Sequence, residues 1–355
     1  MRWIGHSSEP LENSADMSSL FDRQLADGRL ASAVLFACLD QSDIELGFVD
    51  VGARNGSFLL PESYANRACI YGFEPNQAEY EKIISGTTDA KAAGLGEPEF
   101  RRKSYYPSAL WSERGTRTLY IPVGVGAATL MGPANKAITS NMWQVGRGGV
   151  SYYSRIHRPD KEVQVACDTL DSIFAEGVLL DMLKIDAEGG ELEVLKGARR
   201  LLEQKRVLLI KSEFALAPTY QERVLLGHIQ VLLDDLGYRL VDLDFDHWKY
   251  CWKPTIASEE NDRWFARAGD AIFILDPDRN TLSAEQYYRL GLACIALGLN
   301  APGVNFVSEA GALSEPDRAA LLAEIDRRSH GRKLMDLWMS MPHVAYKVLK
   351  RLGLR

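Results

Sequence analysis

From residue 44 to about 275 the chain alternates short apolar runs with helical periodicity, and this alternation limits the fold more than any other feature. IELGFVDVG, ACIYGFEP, FRRKSYYP, VLLDMLKID, RVLLIKSEF, YRLVDLDF and AIFILDP read as seven strands. Helices such as GELEVLKGARRLLEQ and VLLGHIQVLLDDLG stand between them. Nearly continuous apolar strands that alternate with helices predict an α/β fold, a Rossmann-like, doubly wound, parallel seven-stranded sheet. This domain is expected to span 44–280. Within it, 131–162 (MGPANKAITSNMWQVGRGGVSYYSRIHRPDKE) has no sustained period and reads as an irregular insert on the substrate side. Residues 1–43 read as a helical N-terminal extension. After Pro277, SAEQYYRLGLACIALGL and EPDRAALLAEIDRRSH read as helices of a C-terminal extension over 281–355.

Composition removes several function classes. Apolar residues make up 46% and charged residues 25%, as in ordinary soluble globular proteins. A net charge of −7 gives no reason to expect a nucleic-acid partner. The five cysteines (Cys38, Cys69, Cys167, Cys251, Cys294) are odd in number and lack CxxC spacing, which predicts reduced thiols and no zinc site. No signal peptide is expected, because acids come early and LASAVLFACL is short and late. The uncharged stretch from Leu290 to Val307 is interrupted by Asn300, Pro302 and Gly303, so no spanning helix is expected. These features predict a cytoplasmic protein. The tail over 331–355 carries six basic residues against one acid. It reads as a packed helix with a basic outer side, or as a peripheral contact with the inner membrane face. Oligomeric state is not legible.

VDVGARNG at 49–56 and FEPN at 73–76 carry the first chemistry. Glycines after a strand let a ligand approach the backbone at a helix N-terminus. The spacing from Gly52 to Gly56 is G-x-x-x-G, not the G-x-G-x-x-G of a pyrophosphate site. Asp50, just before the loop, suits an ammonium group. Glu74, closing the second strand, is placed to accept hydrogen bonds from a ribose diol. A nucleoside bearing an amino acid, S-adenosylmethionine, meets these conditions. A glycine turn without ligand and a nicotinamide site are the weaker alternatives.

LLDMLKIDAEGGELEVLKGARRLL at 179–202 narrows the choice. Together with VDVGARNG, FEPN, the SAL at 108–110, TLDSIF at 169–174 and IKSEF, it resembles the FkbM family of S-adenosylmethionine-dependent methyltransferases over roughly 44–275. The resemblance implies a class I methyltransferase fold, bound S-adenosyl-L-methionine, and O-methylation of a hydroxyl on a sugar, glycan precursor or related small molecule. Asp50, Gly52, Asn55, Gly56, Glu74, Pro75, Asn76 and Asp186 would then hold the cofactor, with Ala109 and Leu110 facing the adenine. Arg54 and Gly190 depart from the residues usual in that family. A methyltransferase-like scaffold that recruits a partner through its helical C-terminus is the competing reading.

Methyl transfer to an alcohol needs a destination for the proton. Lys184 and Asp186 share one face of a strand, and Lys211 and Glu213 repeat that spacing in the next. Asp186 is the first choice as proton acceptor or orienting group, with Lys184 tuning its charge and Glu188 following on the loop. Glu191 reads in part as a helix-start acid. Asp186 and Glu213 could alternatively hold Mg2+. His157, flanked by Arg155 and Arg158, and His247, after VDLDFD, are rival bases. Trp143, Tyr152 and Tyr153 offer a flat wall for a sugar ring.

Overall fold

The computed structural model describes residues 30–39, 44–55, 60–92, 94, 97–134, 142–146, 149–152, 157–220, 224–245, 249–252 and 266–327. In chain order a helix over 30–38 (α1) leads into β1 (Leu46–Val51), β2 (Ala68–Phe73), α2 (Gln77–Ser85), β3 (Arg102–Tyr106), β4 (Ala109–Leu110) and β5 (Gly115–Pro122). β6 (Met142–Gly146), β7 (Gly149–Tyr152), β8 (Pro159–Asp168), β9 (Leu180–Ile185), α3 (Glu191–Lys196) and β10 (Val207–Ala215) follow. The chain continues through α4 (Leu226–Asp235), β11 (Tyr238–Phe245), β12 (Lys249–Trp252) and β13 (Ala268–Leu275) to α5 (Ala284–Ala296), α6 (Asn300–Glu309) and a helix over 315–327 (α7).

The seven runs read as strands form one sheet, ordered β11-β13-β10-β9-β1-β2-β3. It is not wholly parallel. β13 runs antiparallel to both neighbours, β10 and β11, while β10, β9, β1, β2 and β3 pair in parallel. Apolar runs reveal strands buried on both faces but carry no sign of direction, so the reversal of the last strand could not be read from them. The insert at 131–162 is also less irregular than expected. β6 and β7 pair as a hairpin and β12 joins them, while β8 starts at Pro159 and pairs with β5 and β4. Its glycines and asparagines hid strands that pair with distant partners.

The sheet and the helices on its two faces share one core, which includes Phe48, Ile70, Met182, Leu183, Leu209, Ile210 and Phe273. α5 belongs to that core. Every residue from Tyr288 to Ala296 is buried, and Arg289 places its guanidinium 2.8 Å from both carboxylate oxygens of the fully buried Asp181 on β9. Tyr288 donates its hydroxyl to the carbonyl of Cys38 on α1, so the two terminal extensions meet behind the sheet. α6 was not expected, because Asn300, Pro302 and Gly303 read as breakers. Pro302 instead occupies the first turn, where a missing N–H breaks no helical bond. Cys38, Cys69, Cys167 and Cys294 are free and buried. Among the described residues no helix is long and apolar enough to cross a membrane. Gly56, Tyr153, Arg155, His247 and the tail at 331–355 lie outside the described residues, and Trp143 and Tyr152 are described in their backbone only.

Candidate active site

The carboxyl ends of β1, β2 and β9 converge on a cavity of about 380 Å³. Gly52, Asn55, Glu74, Pro75, Asn76, Ala109, Leu110, Lys184, Asp186 and Glu188, all named from the sequence, line it. Parallel strands put their carboxyl ends on one edge of the sheet, which is why residues far apart in sequence meet there.

The loop after β1 is fixed by backbone geometry. Gly52 (φ 77°) and Asn55 (φ 70°) adopt the left-handed region, and the N–H groups of Gly52 and Ala53 both donate to the Phe73 carbonyl at 3.0 Å. The glycine at 52 is demanded less by a ligand than by its neighbour strand. A Cβ there would stand 2.0 Å from the Asp186 carbonyl oxygen. After β2, the buried Glu74 receives the Asn76 N–H at 2.8 Å, and Asn76 caps α2 by accepting from Ala78 N–H at 3.2 Å. Burial outweighs that hydrogen bond and pushes the Glu74 carboxyl up to about 7.

Asp50 has a different position from the one expected. It is fully buried and does not line the cavity; its Oδ1 accepts from Lys184 Nζ at 3.0 Å. The β1–β9 register places Asp50 beside Lys184, and the β9–β10 register places Lys184 beside Lys211. Lys211 in turn bonds Asp270 on β13 at 2.5 Å, so a row Asp50, Lys184, Lys211, Asp270 crosses four strands. Burial works against the Lys184 charge, yet Asp50 and Asp186 more than offset it and hold the ammonium above the usual lysine range. Lys184 Nζ also stands 3.6 Å from Asp186, whose side chain is 47% exposed at the cavity edge.

Asp186, Glu188 and Glu213 bring carboxylate oxygens within 4.8 Å of one another. Glu188 has a left-handed backbone (φ 48°), held by Thr129 Oγ1 donating to its carbonyl at 2.7 Å, and the Tyr220 hydroxyl donates to its carboxylate at 3.2 Å. Burial and then the Asp186 and Glu191 charges push Glu188 up to about 8. Glu213 is raised well above the usual range by burial and by Glu188, and it lines a smaller adjoining cavity with Arg267, Thr219 and Tyr220. Glu191 is turned inward to accept the N–H groups of Ala187 and Gly189 at 3.0 and 3.1 Å, which makes it the organiser of the turn before α3.

His157 is buried in a third small cavity, edge-on to Tyr220, and does not line the main one. Burial lowers it to about 4, and the charge of Arg267 adds to the effect; of the two flanking arginines expected to act on it, Arg155 lies outside the described residues. Several site residues escaped sequence reading. Trp111, Glu79 and Asp270 line the main cavity, and Tyr220 and Arg267 the adjoining one. Only Asp270, an acid inside the apolar run AGDAIFILDP, carried a signal that could have been found. Gly190 has a local reason: a Cβ there would come within 2.9 Å of Trp111 Cζ3.

The cavity fits S-adenosylmethionine in the chemistry of its donors. Glu74 offers a carboxylate at the second strand end, Leu110 and Trp111 an apolar wall, and the loop at 52–55 a close backbone approach. Residues 50–240, more than half the chain, match the model of the Methyltransferase FkbM domain. No curated protein sequence matches the chain. Solved structures similar to it include magnesium protoporphyrin IX methyltransferase from Synechocystis PCC 6803 with bound SAM (12% identity, 75% of this chain and 86% of that one, TM-score 0.32). Another is a TehB-like SAM-dependent methyltransferase from Corynebacterium glutamicum (8% identity, 73% and 96% covered, TM-score 0.30). The chain belongs to the FkbM methyltransferase family, and it is a methyltransferase.

Proposed function

We propose, for this member of the FkbM methyltransferases, transfer of a methyl group from S-adenosylmethionine to a hydroxyl of a sugar, glycan precursor or related small molecule. When bound, the cofactor supplies an electrophilic methyl group on a sulfonium centre. The chain's own residues supply the rest. Glu74 accepts the ribose hydroxyls, Ala109, Leu110 and Trp111 enclose the adenine, and the loop at 52–55 meets the amino-acid end. Asp50 acts through Lys184, since its carboxylate is buried against that ammonium. Asp186 would orient the acceptor hydroxyl and take its proton. The observation that carries this reading is a half-exposed carboxylate at the cavity edge, backed 3.6 Å away by a partly buried lysine with its own buried counter-ion.

A second reading, favoured by the 4.8 Å clustering, gives Asp186, Glu188 and Glu213 a divalent ion such as Mg2+ that orients two acceptor hydroxyls. One variant and one chelator separate the two. Asp186→Asn keeps the volume; under the proton-acceptor reading it lowers kcat by about 10²–10⁴-fold with cofactor affinity retained, and wild-type activity survives chelation. Under the metal reading chelation abolishes wild-type activity and added Mg2+ restores it. Full kcat in the Asn variant, with chelator present, would defeat both.

A further inference from the structure

Arg54 is the residue in the glycine loop that the methyl-transfer reading leaves without a task. It sits at the loop tip between the two left-handed residues, lines the cavity, and is 29% exposed, so it stands between cavity and solvent. Its guanidinium is bonded to two acids, one of which, Glu79, lines the same cavity. Nε donates to Glu79 on α2 at 2.9 Å and Nη2 to Asp89 at 3.0 Å. Lys82 Nζ bonds the same two acids at 3.0 and 3.1 Å, which closes a ring of four charges. Asn55 adds a second tie to the same turn, accepting the Ala90 N–H at 3.3 Å. On the opposite wall Arg54 lies against Gly126, where a Cβ would fall 3.1 Å from Nη1.

We infer that Arg54 is a positioning residue for the cofactor: a clasp that ties the glycine loop to α2 and to the wall at Gly126. This rests on the cavity being the S-adenosylmethionine site. At 52 and 53 the loop is held by N–H bonds to the Phe73 carbonyl, and at 54 and 55 it is held by the side-chain bonds of Arg54 and Asn55. A ligand that had to order it would bind more weakly, and a loop held beforehand removes that loss. The nearly buried Glu79 gives the clasp its strength, since a charge-assisted bond shielded from water outweighs an exposed pair. The same ring holds α2, whose cap residue Asn76 fixes Glu74, so one set of contacts sets both ends of the cofactor cavity.

The test is calorimetric titration of the full chain with S-adenosylmethionine and with S-adenosylhomocysteine. Arg54→Met keeps much of the side-chain length and removes the charge; it should weaken binding of both about tenfold, the scale of one lost hydrogen bond to a charged group. Glu79→Gln should do the same, and the double variant should be no worse than either single, because both break one device. Arg54→Lys, which keeps the charge but loses the guanidinium fork, should fall between Met and wild type. Wild-type affinity in Arg54→Met would overturn the clasp. So would additive losses in the double variant, or a tight Glu79→Gln beside a weak Arg54→Met, since either means that Arg54 touches the ligand directly. A wild-type chain that binds neither compound would overturn the cofactor reading and the clasp with it.

Discussion

Gly52→Ala isolates the crossing point of β1 and the turn after β9. The backbone there has φ 77°, a conformation that costs a residue bearing a Cβ about 1–2 kcal/mol. The new methyl would lie 2.0 Å from the carbonyl oxygen of Asp186. That oxygen cannot rotate away, because it is main chain and the Asp186 N–H is already bonded to the Val51 carbonyl at 3.0 Å. Moving the two segments apart adds a further ~1–3 kcal/mol, the usual scale of overpacking. The sum is about 2–5 kcal/mol, and at about 2 °C per kcal/mol for a large domain it lowers Tm by about 4–10 °C. Gly177→Ala is the control. Its φ is 91°, and no atom lies within 4 Å of the added methyl, so it bears only the backbone share, about 2–4 °C. Thermal unfolding by circular dichroism measures both. Equal Tm values for the two variants would refute the overlap with Asp186. Because the displaced carbonyl belongs to Asp186, turnover in Gly52→Ala should also fall more than its Tm accounts for below the transition.

Two further outcomes follow from buried charge. On the proposed reading Glu74, pushed up to about 7 by burial, would accept the ribose hydroxyls as the carboxylate, so cofactor affinity should rise as pH passes upward through about 7. Glu74→Gln should flatten that dependence in calorimetry; a slope that persists places the titrating group elsewhere. Between its ordinary 4.5 and about 7 the native chain holds a proton that the unfolded chain has released, so this side chain withdraws stability as pH rises across that window, and the Gln variant should lose that slope too. Arg289→Met leaves the Asp181 carboxylate buried without its counter-ion and should reduce unfolding free energy by about 3–5 kcal/mol in urea, whereas a change below about 1 kcal/mol would show that α5 is not fastened there.

Much of the fold was legible because most of the seven sheet strands are apolar runs long enough to be seen alone; β3, which reads RKSYY, is the exception and was marked by its place in the alternation. The main cavity was legible for the same reason: Gly52, Glu74 and Asp186, each at a strand's carboxyl end, line it. What could not be read depends on which strands become neighbours. Asp50 looked like a ligand-facing acid until the register set it beside Lys184. Glu191 looked like a helix-start acid but turns back to the N–H groups of Ala187 and Gly189. The burial of His157 and the charge of Arg267, more than a hundred residues away, both depress it and could not be read from its flanking residues. Arg289 and Asp181, a lone basic residue in one apolar run and a lone acid in another, gave no hint of each other.

The placement of β13 also bears on how the chain is made. β13 enters the sheet between β10 and β11, and among the described strands β11 pairs with β13 alone. During synthesis β11 therefore leaves the ribosome with no edge to join and must wait for residues 268–275. The 50–240 stretch that matches the family stops short of that strand. Asp270, which lines the cavity, arrives with it, and the α1–α5 contact through Tyr288 spans 250 positions. Contacts of such long range form late and slowly. The nascent chain thus carries an open edge on β10 until residues 268–275 arrive, and its main cavity is completed only by the last third.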